Sequence, residues 1–250
     1  MTLRWLRDVD IETNSGLTSE EVDERKLLLE SAVTRSIWTV DLLRLLESLL
    51  KKQNDNPRQP NHSNASYLFC SEVHGVNHSH STTGYYAKAF DNDSVRVSKI
   101  FDEIVRQQLP MLCPFHLKFR EVLEVASFKN CIAIVLVDNY VLMHPLIHEL
   151  DKNSKEEDGG TLSTANHNTD TYAGHYVILC GKSFDSDHIK RALAWERKTY
   201  NSERDSYCLV LSNPGIPDQT MFVTPQLLER AWRAEGTDCD IIFIAKHRRT

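Results

Sequence analysis

The sequence has no excess of positive charge and no long apolar run. The formal net charge of its 250 residues is −6 at pH 7, so a basic face that binds nucleic-acid phosphates is not expected. No apolar stretch reaches the roughly 18 residues of a membrane-spanning helix. Near the N-terminus, Arg4, Arg7 and Asp8 interrupt the apolar core that a signal peptide requires. We therefore predict a soluble, cytoplasmic protein without nucleic-acid or membrane partners.

Paired cysteines are also missing. The chain has six cysteines, each alone within or beside an apolar run, and none belongs to a C-x-x-C motif. This distribution is typical of reduced, buried thiols rather than of a disulfide framework. Cys131, Cys180 and Cys208 lie in the most apolar of these runs, so we expect them in the core.

The sequence contains no G-x-x-x-x-G-K-[ST] loop to cradle phosphates. No pair of carboxylates at neighbouring strand ends, of the kind that holds two Mg²⁺ ions, is evident either. A group of one cysteine and three histidines could bind a metal if His74 and His78 shared a helix face, but Gly75 and Asn77 between them favour a loop. The group comprises Cys70, His74, His78 and His80. The residues alone therefore predict no metal and no cofactor.

The most informative stretch begins at His175, which opens an apolar, β-branched run that Gly181 ends. A second run, 207–211, is closed by Ser212-Asn213-Pro214-Gly215. If the two runs pair antiparallel, the end of the second lies beside the start of the first, and Asn213 comes within hydrogen-bond range of His175. A histidine oriented by an asparagine supplies two of the three groups of a Cys–His–Asn site. His175 and Asn213 are therefore the candidate catalytic residues, with a structural histidine as the alternative.

Hydrophobic periodicity predicts an α+β fold, with a helical first half packed on an antiparallel sheet from the second half. One helix should present a face of Trp38, Leu42, Leu45, Leu46 and Leu49. Further helices are expected over 18–33, from Asp93 or Ser94 to Leu109, over 120–127, over 187–200, and after a Thr224 cap with Pro225. Strands are expected at 67–70, 131–137 and 241–244, besides the two runs above.

Two segments rich in polar residues interrupt this pattern. Residues 51–66 contain Pro, Asn, Gln and Ser, and residues 149–171 are acidic and rich in Asn, Ser, Thr and Gly. We predict that both are flexible insertions in a single domain spanning residues 1–250.

Several stretches together resemble one family, the guanylyl cyclase domain-containing protein 1 family, known in plants as guanylyl cyclase 1. Its resemblance covers about residues 1–246, apart from the two insertions, and the Arg35-Ser36-Ile37-Trp38-Thr39 motif is its most specific part. The matching stretches are 34–42, Gly75-Val76 with Tyr85-Tyr86, Phe90-Asp91 with Arg96-Val97, 133–137, 174–177, Asn213-Pro214, and 236–238 with Asp240-Ile241.

This resemblance implies a papain-like scaffold, similar to the bacterial cysteine peptidases that trim double-glycine leader peptides. In such proteins a Trp-Asp-Cys-Gly-Leu-Ala-Cys segment opens the first long helix and supplies the nucleophile. His175 and Asn213 match the histidine and the asparagine of that site, and no residue matches the cysteine. Residues 1–6 resemble the helix just after the cysteine segment. We therefore expect a chain that begins after its nucleophile, through a misassigned start or as an isoform.

Three functions follow from the resemblance. The first is a non-hydrolytic protein that binds a peptide or protein in the cleft lined by His175 and Asn213. The second is a guanylyl cyclase, as the family name implies, acting on GTP with Mg²⁺ or Mn²⁺. The third is a cysteine hydrolase whose natural N-terminus is longer.

Overall fold

The computed structural model describes residues 37–54, 65–78, 81, 90–146 and 172–247. Within them, six helices and seven strands are present. The helices are α1 (Thr39–Asn54), α2 (Phe90–Arg106), α3 (Phe119–Val125), α4 (Asn139–Met143), α5 (Ser186–Trp195) and α6 (Pro225–Trp232). The strands are β1 (Ala65–Cys70), β2 (Met111–Leu112), β3 (Cys131–Asp138), β4 (Gly174–Ser183), β5 (Cys208–Ser212), β6 (Thr220–Val223) and β7 (Ile241–Lys246).

All seven strands belong to one sheet, in the order β2-β1-β7-β3-β4-β5-β6. Only the β1–β2 pair is parallel, and every other neighbouring pair is antiparallel. The predicted antiparallel pairing of the two runs around His175 and Asn213 is confirmed, because Ile178 of β4 lies opposite Ser212 of β5. Strand β3 is buried along its whole length, since helices cover both faces of the sheet at its centre.

Alternating side chains of the central strands divide the interior into two cores. Ile132 and Ile134 of β3 pack on one face with the apolar stripes of α1 and α2. Val135 and Val137 point to the other face, against α3, α4 and α6. A smaller cluster joins α5 to β5 and to Phe222 of β6. The sheet is therefore the central layer against which the described helices pack.

The α+β class is confirmed, but the two halves of the chain are less separate than predicted. Strands β1 and β2 come from the first half, and helices α5 and α6 from the second. The buried face of α1 also differs by about one residue, since Leu43, Leu46 and Leu50 are in the core while Leu42 and Leu45 are half-buried. Helix α1 contacts both the sheet and α2, so its apolar stripe is wider than a single heptad pattern indicates.

Several predicted features lie outside the described residues: the helix over 18–33, residues 1–8, and nearly all of both insertions. The N-terminal cap of α6 is confirmed, because the Thr224 hydroxyl accepts a hydrogen bond from the Leu227 amide and Pro225 occupies the first helical position. No helix among the described residues is long and apolar enough to cross a membrane.

Four side chains connect the start of α1 to α2: Trp38, Asp41, Asp93 and Arg96. The indole of Trp38 donates to Asp93 Oδ2 (3.4 Å), and Arg96 bonds both Asp41 and Asp93. Asp93 was predicted to cap α2, but the helix begins earlier, at Phe90, and Asp93 is 1% exposed. Asp93 instead accepts from Trp38, just before α1, and Arg96 of α2 donates to Asp41 of α1, so these contacts hold the start of α1 against the start of α2.

Candidate functional site

Polar residues gather at one end of the sheet. There β3 ends opposite the beginning of β4, with Asp138 facing Gly174. At the same end β1 finishes beside the start of β7, where Cys70 faces Ile241. Strand β5 also ends there, and Asn213 follows it directly. This end of the sheet therefore carries His175 on β4, Asn213 just after the neighbouring β5, and Asp240 just before β7, which lies on the other side of β3.

His175 and Asn213 form a hydrogen-bonded dyad. His175 Nε2 lies 2.8 Å from Asn213 Oδ1, so the predicted contact between the two side chains is confirmed. Asn213 is 1% exposed, and its backbone amide donates to the Gln219 carbonyl (2.6 Å) across the β5–β6 turn. The asparagine is thus fixed by the turn, while His175 is half-buried at the start of β4.

A second hydrogen bond defines the direction of the first. The Gly215 amide donates to the same Asn213 Oδ1 at 2.8 Å, which identifies that atom as the carbonyl oxygen. The oxygen can only accept, so Nε2 of the neutral imidazole must carry the proton. Nδ1 then holds the free lone pair, and no described residue bonds it. The dyad presents an oriented imidazole acceptor, which is the arrangement of a general base.

Gly215 lies against both members of the dyad. A Cβ at this position would be 3.1 Å from Asn213 Oδ1 and 3.4 Å from His175 Nε2. A side chain would crowd the dyad, and the close approach of this backbone amide explains a glycine here.

We expect neutral His175 to be a single Nε2–H tautomer, because Asn213 Oδ1 accepts that proton. Replacing Asn213 with alanine should give a mixture of both tautomers. Two-bond ¹H–¹⁵N spectra of the imidazole distinguish the two forms directly. His188 serves as the matched histidine, since its Nδ1 bonds Ser183 and its spectrum should not change. A mixed tautomer at His175 in the unmodified protein would contradict the assignment.

None of the six cysteines lies at the dyad, and all six are within the described residues. Burial raises the pKa of Cys70 to about 11 and those of Cys113 and Cys239 to about 12, and it also raises those of Cys131 and Cys208. Thiols with raised pKa values are poor nucleophiles at neutral pH. Cys180 was predicted to be buried but is exposed, because the β4–β5 register shifts between Leu179 and Gly181 and leaves it out of the ladder.

The histidines near Cys70 have other contacts. The His74 ring lies 5.5 Å from the Phe101 ring, and the His78 ring 5.8 Å from that of Phe90. Cys70 is buried, and His80 lies outside the described residues. In the part of the chain that the structure describes, no group of three or more His, Cys, Asp or Glu side chains could hold a metal ion.

A second polar cluster at this end of the sheet was not predicted from the sequence. Three acidic residues, Glu72, Asp238 and Asp240, lie where β1 ends and β7 begins, although no such pair was evident from the sequence. Glu72 contacts His116 Nδ1 at 2.6 Å, and Asp238 Oδ1 accepts from Asn77 Nδ2 at 2.8 Å. The signal was the Asp-Cys-Asp triplet just before the last strand, which becomes informative only once β1 and β7 are known to pair.

Comparisons with known proteins agree on one family. A family model described as "Guanylylate cyclase" matches residues 12–244. A protein of Arabidopsis thaliana named "Guanylyl cyclase 1" is 25% identical over 231 residues, which are 92% of this chain and 66% of that protein. The chain thus spans just under two thirds of the length of this curated relative. No solved structure matches the chain.

Proposed function

Because the chain belongs to the Guanylylate cyclase family, whose model covers residues 12–244, we propose a function in which the family scaffold is used for binding. The protein has a papain-like scaffold, and the cleft at the His175–Asn213 dyad binds a peptide or protein without hydrolysing it. The observation that carries this proposal is the oriented imidazole with its Nδ1 free of bonds to any described residue.

Two of the three groups of a Cys–His–Asn site support the scaffold. The Nε2 atom of His175 bonds the asparagine, so Nδ1 is the atom that would face a nucleophile. None of the six thiols in this sequence lies there, so the dyad has no thiolate nucleophile to activate. What remains is a fixed hydrogen-bond acceptor beside an exposed turn, Pro214-Gly215.

Such an acceptor suits a backbone N–H donor. A neutral hydrogen bond from a peptide amide to Nδ1 contributes about 0.5–1.5 kcal/mol, or about two- to tenfold in affinity. Asn213 and the Gly215 amide hold the ring before the ligand arrives, so little orientational freedom is lost on binding. Gly215 carries no side chain, which lets an extended peptide approach the ring closely.

The test is a calorimetric titration with a synthetic peptide that ends in Gly-Gly, chosen because the resembling peptidases cleave after such a pair. The native protein should bind it, and His175→Ala should weaken binding about two- to tenfold. The matched control is His188→Ala, because His188 lies on α5 and bonds Ser183. No binding by the native protein, or equal weakening in both variants, would refute the proposal.

The alternative hypothesis is that the protein is a guanylyl cyclase, and the name of the Arabidopsis relative favours it. Titration with GTP and Mg²⁺ or Mn²⁺, followed by an assay for cyclic GMP, decides between the two. The third hypothesis is a cysteine hydrolase, and intact-mass analysis of the native protein tests it. A longer product with an upstream Asp-Cys-Gly segment would complete the Cys–His–Asn site.

A further inference from the structure

One face of β4 is only partly covered by the described chain. Val177 and Leu179 point into the core and are 0% exposed. Successive side chains of a strand alternate between its two faces, and the residues on the other face of β4 and of its neighbour β5 are half-buried or exposed. These residues are Tyr176, Ile178 and Cys180 of β4 and Val210 of β5, and we call them the β4 strip.

The described helices leave a gap over the β4 strip. On this face of the sheet, α1 and α2 pack on β1, β3 and β7, where they contact Phe69, Ile134 and Ile242. On the other side of the strip, α5 packs on β5 and β6 through Cys208 and Phe222. None of the three core clusters of the described chain includes Val210 or Cys180. Apolar surface in the middle of a sheet, between two groups of helices, points to a further segment that covers it.

The described structure begins at one end of the β4 strip. Ile37 is the first residue described, and its carbonyl oxygen accepts a hydrogen bond from the Tyr176 hydroxyl at 3.2 Å. The Ile37 side chain is 46% exposed, so more apolar surface is open at the same end. Four residue steps join Val33 to Ile37 and span at most about 14 Å. Any helix that ends at Val33 must therefore end near Tyr176.

The sequence before Ile37 predicts a helix with one apolar face. The helix expected over 18–33 repeats apolar side chains at the spacing i, i+7, i+11, with two more beside them. These residues are Val22, Leu29 and Val33, flanked by Leu28 and Ala32. Leu27 falls on the opposite face, among four acidic residues. The four acids are Glu20, Asp23, Glu24 and Glu30.

The apolar face and the β4 strip agree in length. At 1.5 Å per residue, the stretch from Val22 to Val33 is about 16 Å long. At about 3.3 Å per residue, the strip from Tyr176 to Cys180 is about 13 Å long. With Val33 at the Tyr176 end, Val22 reaches the Cys180 end.

We propose that residues 18–33 form a helix that lies on the β4 strip and covers Cys180, Ile178 and Val210. The chain's own segment fits this surface because its end is fixed beside Tyr176, so little loop-closure entropy opposes docking. His175 and Tyr176 are successive residues of β4 and point to opposite faces of the sheet. The proposal therefore does not depend on what the dyad binds.

The first test measures the alkylation of Cys180 by iodoacetamide, with each modified cysteine identified by mass spectrometry. The reaction should be slow in the native protein, and Leu29→Asp should speed it by about tenfold or more, because a carboxylate on the apolar face opposes docking. The matched control is Leu27→Asp, which puts the same charge on the opposite face and should leave the rate unchanged. Cys208 is buried beneath α5, so its continued lack of reaction shows that the fold is intact.

Three results of this test would overturn the proposal. In the first, Cys180 reacts as fast in the native protein as in Leu29→Asp. In the second, both aspartate variants speed the reaction equally. In the third, the reaction is slow in the native protein and Leu29→Asp does not change it, which would mean that another segment or a partner covers the strip.

The second test leaves the apolar face in place, so it decides the question even if Leu29→Asp fails to fold. A short bismaleimide reagent should link Val22→Cys to Cys180, the exposed one of the six native cysteines. The control is Glu24→Cys, which lies two residues away on the acidic face and should not be linked. No link in Val22→Cys, or equal yields in the two variants, would contradict the docked helix.

Discussion

Replacing Arg96 with methionine should lower the free energy of unfolding by about 3–5 kcal/mol. Arg96 forms ion pairs with Asp41 and Asp93, and the Asp93 side chain is 2% exposed. Methionine fills much of the volume of the arginine stem but leaves a buried carboxylate with no cation. The Trp38 indole still donates to Asp93 at 3.4 Å, which offsets only a small part of the loss. Urea unfolding at pH 7 measures the change.

Arg44→Met is the matched control for Arg96→Met. Arg44 pairs with Glu103 at 3.2 Å across the same two helices, but the side chains are 51% and 36% exposed. An exposed pair contributes about 0–1 kcal/mol. The double variant Arg96→Met/Asp93→Asn should recover part of the loss, because it removes the buried charge. If Arg96→Met and Arg44→Met lower the free energy of unfolding equally, the ion pairs of Arg96 with Asp41 and Asp93 do not stabilise the fold more than an exposed pair does.

Replacing Glu196 with glutamine should lower the free energy of unfolding by about 1.5–3 kcal/mol, the range for hydrogen bonds to charged groups. Glu196 follows α5 and is 3% exposed. Its carboxylate accepts from the Thr224 hydroxyl and from Lys198 Nζ (2.8 Å), and Arg230 lies 3.7 Å away. Glutamine keeps the shape of the side chain but removes the negative charge that Lys198 and Arg230 face. The loss is smaller than for Arg96→Met because both cations are partly exposed.

The control for Glu196→Gln is Glu124→Gln, whose pair with Arg120 is exposed. Thermal unfolding of both variants at pH 7 should separate them by several degrees. The same experiment reports on α6, because the Thr224 hydroxyl that donates to Glu196 also accepts from the Leu227 amide. If the two glutamine variants unfold at the same temperature, Glu196 does not join α5 to the cap of α6.

The dyad was predictable because it follows from local signals and one pairing rule. Two apolar runs with clear ends specify their strands, and antiparallel pairing brings His175 and Asn213 together. The helix cap at Thr224 could be predicted from two adjacent residues, because threonine before proline is a strong local signal for the start of a helix. Where a feature depends on a few neighbouring residues, the sequence determined it.

The positions of two acids, Asp93 and Asp240, were not predictable for the opposite reason. Asp93 has the position and composition of a helix cap, and only the packing of α1 on α2 shows that it accepts from Trp38, 55 residues away. Asp240 lies near the end of β1 only because β7 pairs with that strand, Cys70 facing Ile241. The exposure of Cys180 was also not predictable. A register shift between β4 and β5 turns its side chain outward, and an apolar run gives no sign of such a shift. Long-range pairing, rather than propensity, decides each case.

The order of the strands in the sheet determines which strands stay unpaired while the chain is being synthesised. Strand β7 lies between β1 and β3, although Ala65 pairs with Lys246, about 180 residues later. Among the described strands, β1 has only the two-residue β2 as a neighbour until β7 leaves the ribosome, and the edge of β3 that later pairs with β7 stays open. Nascent chains therefore expose apolar edge strands until translation of this last strand, a state that favours chaperone binding and aggregation. Premature stop codons before Ile241 should yield insoluble or rapidly degraded products even when the dyad is intact.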